Sequence, residues 1–348
     1  MKYTREILKE VEGYVPGEQP RMPNIIKLNT NENPYPPSPK VIEALRNLPH
    51  DAMRKYPDPL SLEFRTECAK RYGYPSPEWV TVGNGMDELL SLAVRTFADP
   101  GDAILTTYPT YTLYETLARL HGARPLFVDL DEDFQLTETF FATHARLCLL
   151  PRPNAPSGVC PPRADIERLC RDFNGIVVID EAYVDFSDDN CMDFPQRFDN
   201  AVVMRTFSKS FSLAGMRIGV AVAQPDIIAE FIKVKDSYNL NAVSQAAGLA
   251  AMRDYETMLE NANKVRATRT RLMDALRTLG FRVPPSQSNF VLAQWDGQPT
   301  AREIFDALRK RAIIVRYFNA PRLDNAIRIT VGTEQETDAL LEALHEIL

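Results

Sequence analysis

Short apolar runs alternate along the chain with longer amphipathic segments. Buried strands are predicted at 145–150, 176–179, 201–207 and 218–223, where four or more apolar residues stand together. A helix is predicted at 39–48, because apolar residues recur there at every third or fourth position. Strands that alternate with helices indicate an α/β fold with a mainly parallel central sheet flanked by helices.

The last third of the chain follows a different order. Residues 228–277 are predicted to be largely helical, with part of them forming one long helix, and Arg266, Arg269 and Arg271 within it are expected to face solvent. Beyond this segment the pattern predicts, in order, a strand, a helix, two strands and a helix, at 289–295, 301–310, 313–318, 327–331 and 337–347.

The two patterns predict two units. Residues 46–254 form a large domain, and residues 1–45 and 255–348 supply an N-terminal arm and a small α+β domain. With 348 residues, 45% hydrophobic and 25% charged, the chain has an ordinary globular composition. Its net charge of −7 argues against nucleic acid as the main partner, since phosphate-backbone binding needs clustered lysine and arginine.

The apolar runs, cysteines and histidines of the chain indicate its cellular location and whether it binds a metal. No apolar run approaches the roughly 20 residues that span a bilayer, and the N-terminus has no signal-like apolar segment. The five cysteines are odd in number and share no metal-ligand spacing, which favours free thiols in a reduced, cytoplasmic compartment. None of the four histidines is paired at ligand spacing, so we expect no metal site.

One lysine follows an apolar strand in a way that indicates chemistry. Lys209 comes directly after Ser208 in the turn that ends the run at 201–207, and Arg217 follows eight residues later. Lysine amines bind carbonyl cofactors covalently, and a guanidinium with nearby hydroxyls suits a phosphate. An isolated Ser-Lys pair is more often an exposed loop, so the rest of the chain has to support this interpretation.

Two further segments do so. Asp180 ends the strand at 176–179, where α/β sheets bind ligands, and its carboxylate can keep a pyridinium nitrogen protonated. The segment Gly83-Asn84-Gly85-Met86 joins a strand to a helix start, a geometry that binds phosphate through backbone N–H groups. It is not a dinucleotide fingerprint, because Glu88 stands where the third glycine belongs.

Taken together, the motifs resemble those of the fold-type I pyridoxal phosphate (PLP) enzymes, and among them the histidinol-phosphate aminotransferase family. The resemblance runs from about residue 14 to 333. Six motifs occur in the family's order: N-E-N-P at 31–34, G-N-G-M-D-E at 83–88, N-A-P-S-G at 154–158, D-E-A-Y at 180–183, S-K-S-F-S-L-A-G-M-R-I-G at 208–219 and R-I-T-V-G-T at 328–333.

This resemblance implies a cofactor site for PLP. It makes Lys209 the residue that holds the cofactor, Asp180 the partner of the ring nitrogen, and Tyr183 a donor to the phenolic oxygen. It also implies that Tyr56 reaches the phosphate of the neighbouring subunit, so that a homodimer shares its active sites. The other implied cofactor contacts are Gly85 and Met86 through their amides, Tyr108 by stacking, Asn154 at the phenolic oxygen, and Thr206, Ser208 and Arg217 at the phosphate.

The same resemblance implies a substrate site. Arg328 would bind the anionic tail of the substrate, Asn33 would line its mouth, and Arg316 and Arg322 are further candidates nearby. The chain departs from the family pattern in two places, with Tyr35-Pro36 where a glycine is frequent and Met86 where a serine is frequent.

The implied activity is a two-step amino transfer. We expect histidinol phosphate as the substrate, with 2-oxoglutarate and glutamate as the amino-group partners. An aromatic amino acid aminotransferase and a decarboxylase acting on threonine phosphate are alternatives on the same scaffold. A PLP-binding regulatory module is a third, although the chain lacks the basic helix-turn-helix segment that such a module needs.

Overall fold

The computed structural model describes residues 3–9, 11, 13, 17–20 and 23–348. Part of the predicted N-terminal arm lies outside these residues. The strands are β1 (Ile26–Lys27), β2 (Val80–Asn84), β3 (Ala103–Tyr108), β4 (Arg124–Asp129), β5 (Leu147–Pro151), β6 (Ile176–Asp180), β7 (Ala201–Thr206), β8 (Ile218–Val222), β9 (Phe290–Gln294), β10 (Ile313–Ile314), β11 (Arg316–Tyr317) and β12 (Ala326–Thr330). The α-helices are α1 (Pro39–Arg46), α2 (Leu62–Tyr72), α3 (Met86–Phe97), α4 (Leu113–His121), α5 (Glu138–Ala142), α6 (Arg163–Asp172), α7 (Phe194–Arg197), α8 (Pro225–Val234), α9 (Ala242–Arg253), α10 (Tyr255–Thr278), α11 (Ala301–Lys310) and α12 (Glu334–Ile347). Short 3₁₀ segments lie at Glu6–Lys9, His50–Met53, Pro77–Trp79, Val184–Phe186 and Ala214–Met216.

A seven-stranded sheet in the order β2-β8-β7-β6-β5-β3-β4 forms the centre of the fold. Only β8 runs antiparallel to its neighbours within this sheet, so the prediction of a mainly parallel α/β sheet is confirmed. Its central strands are buried on both faces. Along β5, Leu147 and Leu149 pack into one apolar cluster while Cys148 and Leu150 pack into the other, which explains the unbroken apolar runs.

Strand register then places the chemistry at one edge. Pro151 of β5 lies opposite Asp180 of β6, which in turn lies opposite Met204 of β7. Because β5, β6 and β7 are parallel, the loops that follow them leave the sheet at the same edge. Asn154, Tyr183 and Lys209 lie in those loops.

A smaller antiparallel sheet, β11-β12-β9, is formed by the C-terminal part of the chain. The single strand predicted at 313–318 is wrong, because the backbone changes partners at Val315. Strand β10 pairs in parallel with β1 of the arm, whereas β11 pairs with β12. The arm is thereby hydrogen-bonded to the C-terminal part of the chain. The division into two domains at 46–254 stays a prediction.

The helical segment at 228–277 comprises α8, α9 and α10, and α10 is the long helix of 24 residues. The expectation that Arg269 faces solvent is wrong. Its guanidinium is buried and donates hydrogen bonds to the carbonyls of Phe186 and Ser288, at 2.8 and 2.9 Å. Burial lowers the pKa of Arg269 to about 10. Within the described residues, none of the helices combines the length and the apolar character that a bilayer crossing requires.

Candidate active site

Lys209 lies in the loop after β7 and is half-buried. Its Nζ donates a hydrogen bond to the carbonyl of Thr30 in the arm at 3.1 Å and lies 5.6 Å from the centre of the Tyr183 ring. Burial, together with the positive charges of Arg328 and Arg217, lowers the pKa of Lys209 to about 8. A lysine that is partly neutral near physiological pH can act as a nucleophile and as a proton acceptor.

Asp180, the last residue of β6, is 3% exposed. Its Oδ2 accepts a hydrogen bond from the hydroxyl of Tyr114 at 2.5 Å, and its Oδ1 accepts one from the amide of Ala182 at 3.0 Å. Burial raises the pKa of Asp180 to about 6, against the opposing effect of these two donors. Among the described residues no cationic side chain pairs with this carboxylate, so the site fits a ligand that brings a positive charge.

Arg217 lies at a second corner of the site with its backbone in the left-handed region, at φ 51°. Its Nη1 donates to the hydroxyl of Ser208 at 3.3 Å, and its Nη2 pairs with the carboxylate of Asp87 at 3.2 Å. The hydroxyl of Thr206 accepts from the amide of Ser208 at 3.2 Å. The three residues predicted to hold the phosphate therefore lie together.

The glycine turn before α3 completes this corner. Gly85 precedes the helix at φ 84° and ψ 163°, a conformation essentially reserved for glycine, and no side chain caps the first turn. A Cβ placed at Gly85 would lie 2.6 Å from Nη2 of Arg217. The uncapped amides at the start of α3 and the guanidinium of Arg217 thus share a cradle that suits an anion such as phosphate.

Tyr183 connects the sheet edge to the arm. Its hydroxyl accepts a hydrogen bond from Nδ2 of Asn31 at 3.0 Å, and its ring packs edge-on against Phe290 at 5.0 Å. Burial raises the pKa of Tyr183. Asn31 is itself buried and in turn bonded to Thr330 of β12, so the tyrosine is fixed from two sides.

Asn154 and Tyr108 lie next to each other at the same edge. Nδ2 of Asn154 donates to the carbonyl of Pro109 at 3.2 Å, and its Oδ1 accepts from the hydroxyl of Ser157 at 2.8 Å. Tyr108 ends β3, is half-buried, and donates its hydroxyl to the carbonyl of Pro321 at 2.9 Å. Their predicted roles toward the cofactor stay predictions that this placement permits.

Two arginines face each other across the small sheet. Register pairs Arg316 of β11 with Arg328 of β12, and both guanidinium carbons lie 5.4 Å from the centre of the Phe318 ring. Arg328 also donates to the carbonyl of Asn29 at 3.0 Å. Like charges directly opposite each other on neighbouring strands destabilise a sheet, so the pair suits an anionic ligand that bridges it.

Arg322 has different surroundings. Its guanidinium donates to the carbonyls of Leu130 at 2.7 Å, Asp131 at 2.6 Å and Tyr108 at 3.3 Å. These bonds tie the segment before β12 to the loop after β4. Three of the five N–H donors of this guanidinium already bond carbonyls, which fixes the side chain in place, and we leave Arg322 out of the proposed substrate site.

Two other predicted residues lie apart from the centre. Asn33 donates to the carbonyl of Ser210 at 3.0 Å and so supports the loop that carries the lysine. Tyr56 is 80% exposed and stacks on Tyr238 at 4.3 Å. Its predicted role toward a neighbouring subunit stays a prediction.

Sequence reasoning missed one residue of the site and left another without a role. Tyr114 lies in none of the motifs, although the helical spacing of Leu113, Leu117 and Leu120 marks the helix that contains it. Asn31 lies within the N-E-N-P motif, but only the structure shows that it bonds Tyr183. In the described part of the chain, no group of three or more His, Cys, Asp or Glu side chains is arranged to hold a metal ion.

Comparison with known proteins agrees with this geometry. Residues 23–344 match the family model of class I and II aminotransferases. The chain is 45% identical to histidinol-phosphate aminotransferase from Rippkaea orientalis, over 99% of this chain and 98% of that protein, and 44% identical to the enzyme of that name from Syntrophotalea carbinolica, over 100% of both chains. The crystal structure of histidinol-phosphate aminotransferase from Sinorhizobium meliloti in complex with pyridoxal-5'-phosphate superposes with a TM-score of 0.90, at 25% identity, covering 100% of this chain and 98% of that one. The chain therefore belongs to the class I and II aminotransferases and, within them, to the histidinol-phosphate aminotransferase family.

Proposed function

We propose that this protein is a PLP-dependent aminotransferase that acts on histidinol phosphate, with 2-oxoglutarate and glutamate as the amino-group partners, in the synthesis of histidine. The observation that carries the proposal is the placement of Lys209 and Asp180. Asp180, at the end of β6, has a buried carboxylate without a cationic partner among the described residues. Lys209, in the loop after the adjacent strand β7, has a half-buried amine of lowered pKa. Both lie at the edge where α/β sheets bind ligands.

The residues of the site fit PLP. Arg217, Ser208 and the amides at the start of α3 would hold its phosphate, and Asp180 would hold its ring nitrogen. Tyr183 and Asn154 would donate to its phenolic oxygen, and Tyr108 would lie against its ring. When bound, PLP supplies a ring that withdraws electron density from the substrate carbon that loses its proton.

Lys209 has two tasks in this proposal. Its neutral amine would hold the cofactor covalently, and the same amine, when the amino substrate has displaced it, would accept and return the proton of the substrate carbon. A pKa of about 8 in the cofactor-free protein suits the first task, because part of the amine is then neutral near pH 7.5. Tyr183, held by Asn31, keeps its ring 5.6 Å from this amine.

The substrate assignment rests on the arginine pair and on the family. A phosphate monoester carries close to two negative charges at neutral pH and can bridge Arg316 and Arg328, which face each other across β11 and β12. A single carboxylate would neutralise this pair less completely. The neighbouring Phe290 and Phe318 rings also give the site apolar walls, so an aromatic amino acid is the second candidate.

We also propose a homodimer that works in the cytoplasm. Tyr56 is exposed and stacks on Tyr238, which leaves its hydroxyl available to a neighbouring subunit and favours a homodimer in which it reaches the neighbouring cofactor. A biosynthetic role on small soluble metabolites favours the cytoplasm. We also keep residues 46–254 as the cofactor-binding domain, with the arm and 255–348 closing the site from the other side.

A panel of amino donors assayed against 2-oxoglutarate tests the function. Histidinol phosphate should give the highest kcat/KM, above histidinol, phenylalanine and tyrosine, and Arg316→Gln should reduce the rate with histidinol phosphate more than the rate with histidinol. A higher rate with the aromatic donors would move the assignment to the second candidate. Release of carbon dioxide from threonine phosphate without 2-oxoglutarate would instead indicate the lyase.

A further inference from the structure

Helix α4 carries Tyr114, which has no role in the proposed function, to the carboxylate of Asp180. Tyr114 is 1% exposed, and its hydroxyl donates to Oδ2 of Asp180 at 2.5 Å. Its ring packs edge-on against Tyr111, with 5.6 Å between ring centres, and Tyr111 donates to the carboxylate of Asp87, the partner of Arg217. One short helix start therefore contacts the residues at both ends of the cofactor site.

The hydrogen bond from Tyr114 also affects the ionisation of Asp180. A hydroxyl that donates to a carboxylate stabilises the ionised form over the protonated form, because the acceptor is stronger when charged. Asp180 is buried, which favours its protonated form. The amide of Ala182 is bonded to the other carboxylate oxygen, so Tyr114 is the side chain that opposes the effect of burial.

We propose that Tyr114 is a positioning residue that keeps Asp180 ionised and aimed at the ring nitrogen of the cofactor. The inference rests on the proposed function, since it assumes that PLP binds beside Asp180. Without the tyrosine hydroxyl, the proton shared between carboxylate and ring nitrogen shifts toward the carboxylate. The ring then withdraws electrons less strongly, and proton removal from the substrate slows.

A purely structural role for Tyr114 would give a different result, and Tyr74 provides the matched control. Tyr74 is also buried and also donates its hydroxyl at 2.5 Å, but to the backbone carbonyl of Met192. Replacing either tyrosine with phenylalanine removes one buried hydroxyl and leaves the ring packing in place. Both variants should lose stability, whereas only Tyr114→Phe should change the protonation of the cofactor.

The experiment uses the holoenzyme loaded with PLP labelled with ¹⁵N in the ring, followed by NMR across pH 6 to 9. The ring nitrogen of the wild-type protein and of Tyr74→Phe should stay protonated, whereas in Tyr114→Phe its shift should move toward the unprotonated value. The kcat of Tyr114→Phe should fall about 10- to 100-fold with little change in KM, the range expected for a lost hydrogen bond to a charged group.

An unchanged ¹⁵N shift in Tyr114→Phe would overturn the proposal even if kcat fell, since the tyrosine would then support the fold alone. If that variant does not fold, 3-fluorotyrosine at position 114 retains the hydroxyl and makes it a stronger donor. In a titration extended above pH 9 it should hold the ring proton to a higher pH than wild type does, and the absence of that upward movement would overturn the proposal. A wild-type protein that takes up no PLP would instead refute the proposed function.

Discussion

Replacement of Gly85 by alanine tests whether the phosphate cradle has the geometry described above. The new Cβ would lie 2.6 Å from Nη2 and 3.1 Å from Cζ of Arg217, closer than such atoms pack. Because the Arg217 side chain is 44% exposed, it can move away into solvent and the variant should fold. The guanidinium then leaves the cradle, and a charged hydrogen bond of about 1.5–3 kcal/mol is lost, which weakens PLP binding about 10- to 100-fold.

The backbone itself adds a separate cost. At φ 84° and ψ 163°, an alanine is strained by about 1–3 kcal/mol, which lowers the stability of the protein with or without cofactor. Gly73→Ala controls for this effect, because Gly73 also has a positive φ, of 79°, and a Cβ there meets no atom within 4 Å. It should lose about 1–2 kcal/mol of stability while its affinity for PLP stays that of wild type.

The assay is a titration of each cofactor-free variant with PLP, followed by visible absorbance, beside urea unfolding without PLP. The Kd of Gly85→Ala should rise clearly above that of Gly73→Ala at comparable losses of stability. Equal affinities in the two variants would refute the cradle, because they would mean that Arg217 holds no phosphate or that the amides at the start of α3 act without it.

Four further outcomes are expected. Lys209→Ala should lack the visible absorbance band of lysine-bound PLP, and a band that persists would mean that another lysine binds the cofactor. Asp180→Asn should bind PLP yet transaminate about 10²-fold or more slowly, whereas near-normal turnover would remove its proposed role. The rate at which the cofactor-free protein binds PLP should rise with pH, with a midpoint near 8, because only the neutral amine of Lys209 attacks the cofactor. Arg328→Gln should move this midpoint upward, since it removes a neighbouring positive charge, and an unmoved midpoint would contradict that coupling. Inactive Tyr56→Phe and Lys209→Ala chains should regain activity when mixed, and no recovery would count against an active site shared between subunits.

Sequence reasoning predicted best where the local pattern alone determines the structure. The strands that end at Asp180 and Thr206 are buried on both faces, so their apolar runs marked them and placed the acid and the lysine at one edge. Strand β4 lies at the edge of the sheet and is partly exposed along its length, so no apolar run marked it. Leu113, Leu117 and Leu120 recur at helical spacing in α4, but spacing alone does not show which residue of that helix reaches Asp180. Tyr114 was missed for that reason, as its contact with Asp180 depends on where α4 packs.

Other features depend on partners that are distant in the chain. The break at Val315 exists because β10 pairs with the arm nearly 290 residues earlier, which no local pattern records. The resemblance marked Arg322 as a substrate candidate, yet its guanidinium is bonded to carbonyls of another segment. Arg269 looked like one of three solvent-facing arginines on a helix and is buried, because the loops around Phe186 and Ser288 pack against that side of the helix. Residue type and spacing predict where a charged side chain lies along a helix or strand, but they do not predict which distant segment buries it.

The electrostatics of the site explain why both ends of the cofactor are needed. Burial disfavours the charged form of Asp180 and of Lys209, so the cofactor-free protein holds an anion and a cation in surroundings that suit neither. A protonated ring nitrogen would compensate the negative charge of Asp180. Covalent attachment of the cofactor would remove the ammonium group of Lys209. Inorganic phosphate could compensate Arg217 alone, since it brings no positive charge to Asp180. Part of the affinity for PLP therefore comes from compensating charges that are unfavourably buried in the cofactor-free protein. A phosphate without the ring can compensate only the positive charge at the start of α3.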